Sequence, residues 1–145
     1  MPEVERTITT KAPLERVFTY LTDFTHTEDW DPPTVRTTRE RGDGGPGTVY
    51  HNVSKVLGHE TDVEYTVEEL VPLELFRLRG KATGLALRDT MTFARDGDGT
   101  TVTYRAEFEP QGVAKLAEPL LPVALKKIGD DTAAQLSRSL DALAG

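Results

Sequence analysis

The stretch Gly112 to Leu143 reads GVAKLAEPLLPVALKKIGDDTAAQLSRSLDAL, and its reading decides the fold. Leu116, Leu120, Leu125, Ile128, Thr132, Leu136, Leu140 and Leu143 recur at helical spacing. Pro119 and Pro122 interrupt the entry, so a kink or a separate first segment is expected there. Nearly everything upstream alternates like strand. A long amphipathic helix that follows a run of strands must bury its stripe on their sheet. If the sheet curls around the helix, the space between them is a pocket, and that pocket is the candidate functional site.

Working back from the helix, Thr100 to Glu109 places Val102, Tyr104, Ala106 and Phe108 on one face. A turn at Arg95 to Gly99 and a strand from Leu85 to Ala94 precede it. Leu73 to Arg79 is a short strand with Phe76 and Leu78 on its apolar face, and Pro72 separates it from Glu60 to Val71. That strand is the clearest, with Val63, Tyr65 and Val67 opposed to Asp62, Glu64, Thr66 and Glu68. Thr48 to Leu57 and Val35 to Arg41 flank the glycine-rich turn Gly42 to Gly47. Val4 to Thr10 is the first strand. Pro13 suits the first turn of a helix, and Leu14, Val17, Phe18 and Leu21 follow at helical spacing. Thr25 or Thr27 can cap a second turn through Trp30, which Asp31-Pro32-Pro33 ends. Connections this short force antiparallel neighbours. The expected fold is α+β, one domain over residues 1–145. A curved antiparallel sheet of six to seven strands wraps a long C-terminal helix, with two short helices after the first strand.

The totals set limits. A chain of 145 residues buries about 68–70% of its unfolded surface, enough for a core with a cavity beside it. A net charge of -7 argues against nucleic acid and anionic membrane surfaces as partners. The absence of cysteine excludes disulfides, thiol nucleophiles and zinc–thiolate sites. His26, His51 and His59 lack metal-ligand spacing, so no metal and no cofactor is expected. The polar Met1 to Arg6 lacks the apolar core of a signal peptide, and no apolar run is long enough to span a membrane. A cytoplasmic monomer or homodimer is the expectation.

Several segments resemble one superfamily. Ala12-Pro13-Leu14-Glu15-Arg16-Val17-Phe18 through Asp23 resembles its opening signature, and Trp30-Asp31-Pro32 the tryptophan-x-proline that follows. Gly45-Pro46-Gly47-Thr48-Val49-Tyr50 resembles the start of its third strand. Leu87 to Phe93 with Gly99 to Tyr104 resembles its last hairpin, and Leu116 to Leu125 the entry to its terminal helix. This is the START-like, or SRPBCC, superfamily, and the branch resembled is the polyketide cyclase/dehydrase family. The resemblance implies a helix-grip fold with a deep apolar cavity. Members bind lipids, sterols, polyketides or plant hormones, and a minority are enzymes. The family offers no shared catalytic motif to carry over.

By alternation, Asp89 shares the inward face of Leu85, Leu87, Met91 and Phe93. A carboxyl there is a candidate general acid or base, with Tyr104 as partner, provided no bulge turns it outward. The expected cavity wall is Val63, Tyr65, Val67, Phe76, Leu78, Leu87, Met91 and Phe108, with Leu116, Leu120, Ile128 and Leu136 from the helix. Tyr65 and Tyr104 could each offer a hydroxyl to a ligand. Trp30 is read as packing, or as part of the cavity mouth. Alternation leaves the face of His51 open; if it points outward, Asn52 and Ser54 line the cavity instead. His26 and His59 are expected in solvent, and Arg77, Arg79 and Arg88 on polar faces. Three functions fit: binding of a small hydrophobic molecule, a cyclase/dehydratase-type enzyme, or a toxin-like or protein-interaction module.

Overall fold

The computed structural model describes residues 2–56 and 58–144, without the side chains of Val56, Ala117, Glu118 and Leu120. Seven strands form one antiparallel sheet: β1 (Glu3–Thr10), β2 (Thr34–Arg41), β3 (Val49–Val56), β4 (His59–Val71), β5 (Leu75–Ala82), β6 (Leu85–Asp96) and β7 (Gly99–Pro110). Their order is β1-β7-β6-β5-β4-β3-β2. The two edge strands are therefore neighbours in sequence. The chain between them crosses the sheet as α1 (Leu14–Thr22), a 3-10 turn (Phe24–His26) and α2 (Thr27–Trp30). A second 3-10 segment (Gly112–Leu120) leads into α3 (Leu121–Asp141).

The sheet register aligns inward side chains into rows. Val67, Leu78, Asp89, Ala106 and Val4 face one another across five strands. Tyr50, Tyr65, Gly80, Leu87 and Phe108 form the next row. Antiparallel partners share a face, so alternation within any one strand fixes the face for all of them. Leu73, expected in strand, instead sits in the turn before β5, with φ 65, where Glu74 N–H donates to Val71 O. The expected strand end at Leu57 lies outside the described residues.

Asp23, rather than Thr25 or Thr27, caps the first 3-10 turn. Its Oδ1 accepts from Thr25 N–H at 3.1 Å. The helix entry also departs from the expected stripe. A 3-10 segment turns every three residues, which slips its side chains out of phase with α3. Leu116 is consequently 85% exposed, next to exposed Val113 and Val123, and does not line the cavity. The side chain of Leu120 lies outside the described residues.

The rest of α3 buries Leu125, Gly129, Thr132, Leu136 and Leu140. Gly129 is where it comes closest to the sheet. A Cβ there would lie 2.3 Å from Val4 Cγ2 and 3.0 Å from Arg6 Cζ. Arg6 then donates to Asp130 at 2.9 Å, fastening α3 to β1. Leucine is a better helix former than glycine, so any stability lost in Gly129→Leu reports steric displacement alone. We expect a loss of about 2 kcal/mol or more by urea denaturation.

Candidate functional site

The two ends of the inward face differ. Toward α1 the face is solid: Phe18 meets Phe93 edge-on at 4.9 Å, and Val17, Leu21, Phe76, Met91, Leu136 and Leu140 are buried around them. Toward the β5–β6 turn it opens into a cavity of about 400 Å³. The apolar wall of the cavity includes Val63, Leu85, Leu87, Ala106 and Phe108 from the sheet, with Leu121 and Ile128 from α3. At its outer end, Gly84 on the turn and Ala114 on the helix entry lie together, latched by Gln111 N–H donating to Gly84 O at 2.9 Å.

This division corrects part of the expected wall. Val63, Tyr65, Leu87, Phe108, Ile128, Asp89 and Tyr104 do line the cavity. Val67, Phe76, Leu78, Met91 and Leu136 do not; they belong to the solid core. Alternation gave their face correctly, but Phe24 covers that part of the face. Its ring lies 4.8 Å from Tyr65, 5.6 Å from Tyr50 and 6.3 Å from Phe76. Gly80 matters for the same region, since a Cβ there would fall 2.8 Å from Tyr65 Cε1. The tyrosine ring lies across the space that a side chain would fill.

One end of the cavity is polar. Trp30 and Asp31 close α2 over it, and Asn52 and Ser54 rise from β3. A directed hydrogen-bond chain ties Asp31, Asn52 and Ser54 together. Thr27 Oγ1 donates to Phe24 O at 2.7 Å, so in the 2.6 Å contact between Thr27 and Thr37 it is Thr37 that donates. Asn52 Nδ2 donates to Thr37 Oγ1 at 2.8 Å and to Thr34 Oγ1 at 3.0 Å, while its Oδ1 accepts from Ser54 at 2.7 Å. Thr34 in turn donates to Asp31 Oδ2 at 2.6 Å. Every donor in the chain is spent within the protein.

Other donors at this end are not. Trp30 is 1% exposed, yet its Nε1–H has no partner among the described residues. Its ring stands edge-on to Tyr104 at 5.7 Å. Asp89 is buried in the row between Leu78 and Ala106, and Tyr104 lines the same cavity beside it. No Lys, Arg or His is among the described residues that line the cavity.

Two carboxyls in one cation-free cavity oppose each other's ionisation. Burial, then the nearby Asp31 charge, push Asp89 up to about 8, against the hydrogen bond from Tyr104. Burial pushes Asp31 up to about 6, and the Thr34 hydroxyl restrains the rise. Tyr65 and Tyr104 are raised well above the usual phenol value by burial and then by the charges of Asp89 and Asp31. Asp31 is therefore the stronger acid of the two and Asp89 the weaker.

The remaining candidates lie outside the cavity. His51 faces outward, its Nε2 at 2.8 Å from Asp62 Oδ1, so Asn52 and Ser54 line the cavity in its place. His59 is exposed. His26, expected in solvent, is half-buried: its ring stacks on Tyr20 at 4.3 Å and Nδ1–H donates to Tyr20 O at 2.7 Å. Arg77 pairs with Glu69, and Arg79 and Arg88 with Glu68, on the outer face. Among the described residues no three His, Cys, Asp or Glu side chains gather as a metal site requires. Asp31 is the functional candidate that sequence reasoning missed, because it looked like a helix stop. Its place directly after Trp30 was the available signal.

A curved antiparallel sheet gripping a long helix over a cavity defines the helix-grip class. The chain belongs to the family described as polyketide cyclase / dehydrase and lipid transport, which matches residues 1–141. Among solved structures it is similar to the ZhuI aromatase/cyclase from Streptomyces sp. R1128 (17% identity, 97% of this chain and 93% of that one, TM-score 0.80). It is also similar to the protein TTHA0849 from Thermus thermophilus (17% identity, 99% and 100%, TM-score 0.82). A START superfamily protein from Mycobacterium smegmatis is a third (14% identity, 97% and 98%, TM-score 0.81). At these identities the likeness is one of fold. No curated protein matches the sequence. No described helix is long and apolar enough to cross a membrane.

The raised Asp89 has a consequence for stability. The unfolded carboxyl ionises near its ordinary value of about 4, the folded one near 8. The cost of keeping it un-ionised is therefore absent below about pH 4, and stability falls as pH rises until it passes the folded value. Asp89→Asn removes this penalty. Urea denaturation should find the variant close to the parent at about pH 4, and more stable by on the order of 5 kcal/mol at about pH 8.

Proposed function

We propose that the protein binds a small, largely apolar molecule in the cavity between the sheet and α3. The molecule's polar end meets Trp30, Tyr65, Asp89 and Tyr104. The observation that carries this reading is an apolar cavity of about 400 Å³ whose one polar end keeps an unspent donor, Trp30 Nε1–H. That volume lies within the usual range of small-molecule sites, about 300–1,000 Å³. A buried donor without an acceptor is costly, and a ligand oxygen placed there removes the cost.

The protein supplies its own reporter, because Trp30 is its single tryptophan and lines the cavity. N-phenyl-1-naphthylamine, a neutral apolar fluorophore, should quench Trp30 by energy transfer. Saturation at one molecule per chain, with a Kd around micromolar, is expected. Ala106→Leu fills the cavity floor and should weaken binding about tenfold or more with unchanged circular dichroism, since overpacked apolar sites lose on the order of 1–3 kcal/mol. Uptake that does not saturate, or that ignores Ala106→Leu, would overturn the reading.

A further inference from the structure

We propose that the cavity is a proton-transfer site for an apolar ketone: the Asp31 carboxylate removes a proton from the carbon beside the carbonyl, and the Asp89 carboxyl and Tyr104 hydroxyl hold the resulting enolate oxygen. This rests on the reading of the cavity as a small-molecule site.

Placement separates the two carboxyls into two roles. Asp31 ends α2 in a polar setting. Its Oδ2 takes the Thr34 hydroxyl, which Asn52 orients, and its Oδ1 has no protein donor among the described residues. A carboxylate anchored by one oxygen with the other free is placed to accept a proton. Asp89 sits in an apolar row between Leu78 and Ala106, with Tyr104 beside it. A neutral carboxyl and a phenol side by side are donors for a developing oxyanion.

The donor set points to oxygen on the ligand independently of the carboxyls. Trp30 Nε1–H is buried without an acceptor on the cavity wall. Among the described residues, the titratable groups facing the cavity are Asp31 at the end of α2, Tyr65 on β4, Asp89 on β6 and Tyr104 on β7. With no Lys, Arg or His among the lining residues, a carboxylate is the available base. A negative oxygen must then be stabilised by neutral donors.

The step balances without a co-reactant. The α C–H bond breaks and its proton moves to Asp31 Oδ1. The C–H electron pair forms the carbon–carbon double bond, and the carbonyl π pair moves onto the oxygen, which accepts hydrogen bonds from Asp89 and Tyr104. Return of a proton from Asp31 to carbon closes the cycle. Asp31 must be ionised, above about 6, and Asp89 protonated, below about 8. Activity should therefore rise and fall around these values.

The test is hydrogen exchange of 2-tetralone in D2O, followed by NMR across pH, beside displacement of N-phenyl-1-naphthylamine in the same samples. Expected are exchange faster than buffer and a bell-shaped profile with limbs near 6 and 8. Asp31→Asn should slow exchange about 100-fold while naphthylamine affinity stays within about threefold. Tyr104→Phe should slow exchange by about tenfold or more. Naphthylamine binding without displacement by tetralone, displacement without exchange above buffer, or an Asp31→Asn variant that exchanges like the parent each overturns this proposal alone. Loss of naphthylamine binding in the parent overturns the cavity reading as well.

Discussion

The structure depends on how closely α3 can lie on one edge of a sheet too wide for it to cover. Gly129 lets the helix backbone approach β1, where a Cβ would strike Val4 and Arg6. Arg6 then holds Asp130. A helix fixed at that edge covers the inward face unevenly. Where α1 and Phe24 add to it, side chains close-pack. Beyond their reach the same sheet faces empty space, so the cavity is the remainder of a covering problem.

The polar end follows from a second constraint. Buried polar groups must be paired, and the chain from Phe24 O through Thr27, Thr37, Asn52 and Thr34 to Asp31 satisfies this completely. It also gives that wall one orientation, because each donated hydrogen has one acceptor. Against this fixed wall stand Trp30 Nε1–H, without a partner among the described residues, and the Asp89 carboxyl with Tyr104 beside it. A wall of spent donors beside a few unspent ones is how a site selects where a ligand's oxygen lies.

Much of this was legible in the residues. Strand alternation has a period of two that survives without tertiary information, so it put Asp89, Tyr65 and Tyr104 on the inner face. The antiparallel order followed from the shortness of the turns. The helix stripe named Ile128 but also Leu116, because it assumed one continuous helix where a 3-10 segment intervenes. Asp31 escaped because a turn has no periodicity to betray burial. It is enclosed by residues more than twenty positions away, Asn52 among them.

The architecture and the face of nearly every strand residue are local consequences of spacing, proline and glycine, so they could be read from the order of residues alone. Which inward residues are core and which are wall depends on packing between distant elements. Val67, Phe76, Leu78, Met91 and Leu136 share their faces with cavity residues, yet Phe24 and the packing around α1 cover them. The tertiary structure also placed Asp31 and Asp89 on one cavity. That cavity is made by a short helix crossing the sheet, and a meeting of positions so far apart has no signature in the order of the residues.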